Sequence, residues 1–213
     1  MPNTVARPKP VPFPWGFPYR NDGLKGVSLD LVKAAQSLKK AYAGQVWEKG
    51  FRIDLVFDSG NAARGTALSI LARNLNSLNP KFQVGVRALE WIQVQDLKRK
   101  RRLPAYFLSW MPDYPDADDT AFPYMHSQGA FAARQGYKNT EADKLVQEAA
   151  AETDPDRRKA AYFKLQEIWQ EDAVAVLMGQ ATACRAMRDW VKGYEYHPME
   201  GEPFSRLPVL RKQ

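Results

Sequence analysis

Apolar and polar positions change period several times along the chain, and each change marks an element. From Ser28 onward, Leu31, Ala34, Ala35, Leu38, Ala41 and Tyr42 fall on one helical face, with Ser28 as cap and Gly44 as stop. Phe51, Ile53, Leu55 and Phe57 then alternate with Arg52, Asp54 and Val56, which predicts a strand over 51–57. Asp58-Ser59-Gly60-Asn61 reads as the turn. Ala67, Leu68, Leu71, Leu75 and Leu78 form the inner face of the following helix, which Asn79-Pro80 ends. Phe82 to Ala88 is the next strand, carrying Val84 and Val86. Trp91 to Lys100 is a short helix with Trp91, Val94 and Leu97 on one side.

Ala105–Ser109 is apolar on both faces, as in a strand covered on both sides. Residues 120–138 read as irregular, with Phe122, Tyr124 and Met125 packing locally. Thr140 or Asn139 caps a helix whose inner face is Ala142, Leu145, Val146 and Ala149. The clearest helix follows: Asp154 caps it, Pro155 takes its first position, and Ala161, Leu165, Ile168 and Trp169 face inward. Ala173–Met178 reads as a buried strand turning at Gly179, and Thr182–Met187 as its paired neighbour. An irregular end begins at Val191. Strands near 51–57, 82–88, 104–109 and 173–178, separated by helices, predict an α/β fold in which one mixed sheet carries helices on its faces.

Residues 1–24 break the pattern with six prolines, while Phe13, Trp15, Phe17 and Tyr19 alternate among them. Such a stretch is neither helix nor central strand, and it is too aromatic for a free linker. It is expected as an extended arm across the surface of the domain formed by 25–213.

Composition narrows the classes. With 213 residues, 45% hydrophobic and 26% charged, the chain is long enough for a packed core and ordinary for a globular protein. It has no apolar run long enough to span a bilayer, and Met1–Pro8 lacks the apolar region of a signal peptide. The single cysteine, Cys184, lies among small residues and is expected as a core thiol. The net charge of +7 suits an anionic partner, and Lys98-Arg99-Lys100-Arg101-Arg102 is its densest run. That run supports two readings: cations complementing a helix C-terminus, or a nucleic-acid or anionic-surface patch. No aromatic interleaves it and no nucleic-acid-binding motif surrounds it, which favours the helix end.

Catalytic signatures are missing. His126 and His197 stand far apart without metal-ligand spacing, and the chain contains neither G-x-S-x-G nor a glycine-rich phosphate loop. No enzyme activity, cofactor or metal is expected. The stretch that does suggest a site is Trp110-Met111-Pro112-Asp113-Tyr114-Pro115-Asp116-Ala117-Asp118-Asp119, into which the apolar run ends. A strand that delivers aromatics and carboxylates to a loop is a common way to build a binding site. An acidic surface turn is the plainer reading of the same residues. A calcium loop is not, because its D-x-D-x-D-G spacing is absent.

Trp110-Met111-Pro112-Asp113-Tyr114-Pro115-Asp116 resembles the W-x-x-D-Y-x-D/E-P segment of the extracellular solute-binding proteins of peptide and nickel ABC transporters. The resemblance continues through Tyr137-Lys138-Asn139, Asp143-Lys144-Leu145, Asp154-Pro155-Asp156-Arg157-Arg158, Tyr162, Leu165-Gln166, Ile168 and Val191-Lys192-Gly193-Tyr194. Phe51-Arg52-Ile53-Asp54-Leu55 with Ser59-Gly60-Asn61 is similar to that family's strand and loop. The resemblance covers roughly 25–200 and implies the C-terminal lobe of a longer, two-lobed periplasmic or extracellular binding protein. A peptide or other small solute would bind between this lobe and a missing N-terminal lobe, and the closed form would meet ABC permease subunits. It also implies that Asp113 pairs with the α-amino group of a bound peptide, with Trp110, Met111 and Tyr114 beside it. Pro112 departs from the small residue usual before that Asp. No nucleic-acid partner is expected.

Overall fold

The computed structural model describes residues 6–7, 11–181, 186–193 and 211–212. In chain order these form β1 (Ala6–Arg7), α1 (Leu31–Lys40), a 3-10 turn (Ala41–Gly44), α2 (Gln45–Lys49), β2 (Phe51–Asp58), α3 (Ala62–Asn76), β3 (Phe82–Leu89), α4 (Trp91–Arg99) and β4 (Ala105–Tyr106). There follow α5 (Asp118–Met125), α6 (Ala132–Gln135), α7 (Thr140–Ala151), α8 (Pro155–Glu171), β5 (Gln180–Ala181), β6 (Val191–Lys192) and β7 (Arg211–Lys212). The chain divides into two units: Ser28–Trp110, and Met1–Val27 together with Met111–Gln213.

In the Ser28–Trp110 unit, β2 is the middle of a three-stranded sheet of order β3-β2-β4, parallel throughout. Its pairing with β3 runs unbroken from Phe51 opposite Phe82 to Asp58 opposite Leu89. Side chains alternate between faces, so Ile53, Leu55 and Phe57 join Val84 and Val86 under Leu68, Leu71, Ala72 and Leu75 of α3. Asn61 starts α3 by accepting the Arg64 N–H. Gly65 lets that helix approach the sheet, since a Cβ there would meet the Phe57 ring at 2.7 Å. The strands expected over 51–57, 82–88 and 104–109 therefore share one sheet. The last is short: Ala105 and Tyr106 pair with β2, and the Phe107 N–H extends the ladder by donating to the Val56 carbonyl at 2.8 Å.

Three expectations in this unit are corrected. Asp30, not Ser28, caps α1, its carboxylate accepting the Lys33 N–H at 2.8 Å. The helix stops at Lys40 because Tyr42 and Ala43 adopt left-handed backbone before Gly44 is reached, and no α1 residue is buried. On α4, Val94 is fully buried but Trp91 is 52% exposed. The basic run also divides. Lys98 is buried with its ammonium 5.9 Å from the Trp91 ring centroid, while Arg99 to Arg102 are exposed.

The other unit is centred on α7 and α8. Asn139 caps α7 and Asp154 caps α8, each side chain accepting two backbone N–H groups of its first turn. Val146, Tyr162, Leu165, Ile168 and Trp169 meet Met125 in its core. Residues 11–21 are not a surface arm. Val11 and Phe13 are fully buried, and Phe13 meets Tyr162 edge-on at 5.9 Å. Gln166, also fully buried, accepts the Asn21 N–H at 2.9 Å and donates to the Tyr19 carbonyl at 2.9 Å.

Ala173–Met178 is not a strand. Val174, Ala175 and Leu177 lean on this core while Val176 is 73% exposed, and the strand begins only at Gln180, pairing antiparallel with β1. Within 120–138, expected to be irregular, lie most of α5 and all of α6; burial of Ala117, Ala121 and Met125 holds α5 despite its internal Pro123. Cys184 and most of the strand expected over 182–187 lie outside the described residues. Beyond them β6 pairs antiparallel with β7. Among the described residues no helix is long and apolar enough to cross a membrane.

Candidate ligand-binding site

A parallel sheet opens at the carboxyl ends of its strands, where loops are free to carry chemistry. In the Ser28–Trp110 unit those ends are tied together by one side chain. Arg64, in the first turn of α3, forms an ion pair with Asp58 at the end of β2. It also donates to the Ser109 hydroxyl at 2.5 Å, beyond β4. Its guanidinium lies 5.5 Å from the Phe107 ring centroid. Trp110, the last residue of this unit, is 37% exposed.

The remaining candidate residues belong to the other unit. Pro112 is buried, while Met111, Asp113 and Tyr114 are exposed. The four aspartates that follow Met111 most closely divide the work. Asp119, nearly buried, accepts the backbone N–H groups of Asp113 and of Tyr114, the latter at 3.4 Å. Asp116 accepts the Asp118 N–H at 2.9 Å and takes both terminal nitrogens of Arg158, at 3.2 and 2.9 Å. Arg158 in turn donates to the Ala149 carbonyl and lies over the rings of Tyr19 and Tyr162. Asp118 accepts the Tyr114 hydroxyl at 3.2 Å; burial, and then this carboxylate, raise the Tyr114 phenol above its ordinary pKa. Asp113 alone of the four has neither a side-chain hydrogen bond nor an ion pair among the described residues, and it is exposed.

Fixed backbone and a free carboxylate make a usable recognition element. The loop is restrained by two N–H bonds and a bidentate ion pair, so a ligand need not order it on arrival. A carboxylate beside a phenol can pair with an ammonium group, and the ring can pack on a side chain. Sequence reading selected Asp113, Tyr114, Met111 and Trp110 but missed the supports Asp116, Asp119 and Arg158 as functional parts. Arg158 was visible inside Asp154-Pro155-Asp156-Arg157-Arg158, although nothing local pointed to Asp116, 42 positions away. His126 serves structure: it is buried, stacked on Phe122, and its Nδ1 accepts the Gln128 N–H. Among the described residues no cluster of His, Cys, Asp or Glu could hold a metal ion.

Parallel strands with flanking helices are those of a periplasmic binding protein fold. The peptide-bound ABC transporter-associated periplasmic binding protein DppA from Helicobacter pylori superposes with a TM-score of 0.76 at 22% identity, covering 97% of this chain and 39% of that one. The family described as bacterial extracellular solute-binding proteins, family 5 Middle, matches residues 3–132, and the chain belongs to it. Among curated relatives, the dipeptide-binding protein of Escherichia coli is 27% identical over 204 residues, which is 93% of this chain and 36% of that protein. Another Escherichia coli protein, named "Probable D,D-dipeptide-binding periplasmic protein DdpA", is 33% identical over 105 residues, 46% of this chain and 19% of that protein. The chain thus spans well under half the length of these relatives.

Proposed function

We propose that this chain is part of the substrate-binding component of an ABC importer that captures peptides or a similar small solute outside the cytoplasmic membrane. The observation that carries this reading is Asp113: an unpaired, exposed carboxylate on a loop braced by Asp119, Asp116 and Arg158. In this reading Asp113 receives the α-amino group of the peptide. Tyr114 and Met111 supply apolar surface, and an N-terminal lobe outside this chain closes over the ligand by a hinge motion. The closed form is then recognised by the permease. The relatives' names, which specify dipeptides, support a peptide over a metal or sugar. This chain alone forfeits the other lobe's contacts and should bind far more weakly than the longer protein.

The test is calorimetric titration of a dipeptide into the longer protein carrying this chain, with and without Asp113→Asn. The substitution keeps shape and removes charge, so affinity should fall by about 2–5 kcal/mol once closure has desolvated the pair. Equal affinities would overturn the assignment of Asp113.

A further inference from the structure

The net charge of the chain is unevenly placed. The Ser28–Trp110 unit holds fourteen Lys and Arg against six Asp and Glu, whereas the rest of the chain holds seventeen against eighteen. Part of that excess converges on one feature. The register places Arg52, Asp54 and Val56 of β2 on the same face as Gln83, Gly85, Arg87 and Leu89 of β3, opposite the face covered by α3. Helix α4 is too short to cover this second face: nine helical residues reach about 14 Å, whereas eight strand residues reach about 26 Å. A cleft of about 480 Å³ remains.

Its walls are of two kinds. Val56, Leu89, Leu97 and Leu103 supply apolar surface, and Arg52, Arg87 and Arg102 bring three guanidinium groups. None of those three is in an ion pair among the described residues. Asp54 is the single carboxylate of the lining, and it lies folded over Gly85, where a Cβ would strike its Oδ1. Asp96, on α4, feels Arg102 but is held by Lys100 at 2.7 Å.

From these observations we infer that the cleft is a docking site for an acidic protein segment in which carboxylates alternate with apolar side chains. Guanidinium groups without partners bind carboxylates in bidentate fashion, and the leucines between them reward an apolar residue in the same segment. The charge of the whole unit argues for a macromolecule rather than a small anion, because a broad positive field steers large charged partners and fixes their orientation. The site is distinct from the Asp113 loop, so either assignment stands without the other.

Fluorescence anisotropy of a fluorescein-labelled Glu-Leu repeat peptide titrated with the 213-residue chain tests this. The double substitution Arg52→Gln with Arg87→Gln should weaken binding by about tenfold or more. Lys33→Gln with Lys40→Gln removes the same charge from α1 and should change it less than about twofold. A Glu-Ser repeat should bind more weakly than Glu-Leu. Equal losses for the two double variants, equal binding of the two peptides, or no binding would overturn the proposal. Tighter binding of anionic lipid vesicles or of an oligonucleotide of matched charge would also overturn it. Should the arginine pair fail to fold by circular dichroism, Arg102→Gln on the opposite wall is read in its place.

Discussion

Asp119 accepts two backbone N–H groups of the candidate loop, and replacing it by alanine leaves both without their acceptor. Urea denaturation of Asp119→Ala should show a loss of about 1–3 kcal/mol, as for buried hydrogen-bonding groups left unmatched. A loss under about half a kcal/mol would mean that water replaces the carboxylate freely. Tyr162 makes a separate prediction in alkali. Burial pushes its phenol up to about 12 from 10.0, partly opposed by Arg158. Unfolded chains ionise this group near pH 10 while the native state still holds the proton, so its contribution is complete below about 10 and is lost as pH rises to 12. Between those values the urea midpoint of the wild type should fall more steeply than that of Tyr162→Phe; identical slopes would place the loss elsewhere. At this scale the sequence was only partly legible. Asp113, Asp116, Asp118 and Asp119 look alike in a row, and only the fold distinguishes a free carboxylate from one that holds an arginine or a loop.

Helices and strands with strong local signals were legible. Asp154-Pro155 fixed the start of α8, and the alternation of Phe51, Ile53, Leu55 and Phe57 fixed β2. Leu165 is fully buried on the face that this periodicity selects, so Leu165→Ala should cost about 2–5 kcal/mol by thermal or denaturant unfolding. A much smaller loss would mean that the core around α8 closes over the gap. Elements that depend on a distant partner were read wrongly. Ala173–Met178 has the composition of a buried strand, but a strand needs a ladder, and no partner pairs with it among the described residues. The opposite error occurred at α5, where Asp and Pro suggest a loop. Its acidic first turn suits a helix N-terminus, and burial of Ala121 and Met125 supplies what intrinsic propensity lacks.

The net charge was legible from composition, but its concentration in Ser28–Trp110 was not, because that depends on where the chain divides. The division itself was hidden for the same reason. One unit is a continuous stretch, and the other joins Met1–Val27 to Met111–Gln213 across it. Gln166 is the clasp of the second, bonding to Tyr19 and Asn21 from 147 and 145 positions away. A chain truncated after residue 150 should therefore keep 28–110 resistant to limited proteolysis and lose protection around Phe13 and Arg20; uniform resistance or uniform digestion would contradict this. The clasp also has a consequence for biosynthesis. At about 5–20 residues per second on a ribosome, roughly 7–30 s separate the emergence of Phe13 from that of Tyr162. During that interval the stretch 28–110 can already fold, while Phe13 and Tyr19 wait without the Tyr162 ring against which they pack. The segment that completes the second core thus stays uncovered until the helix that buries it has been made.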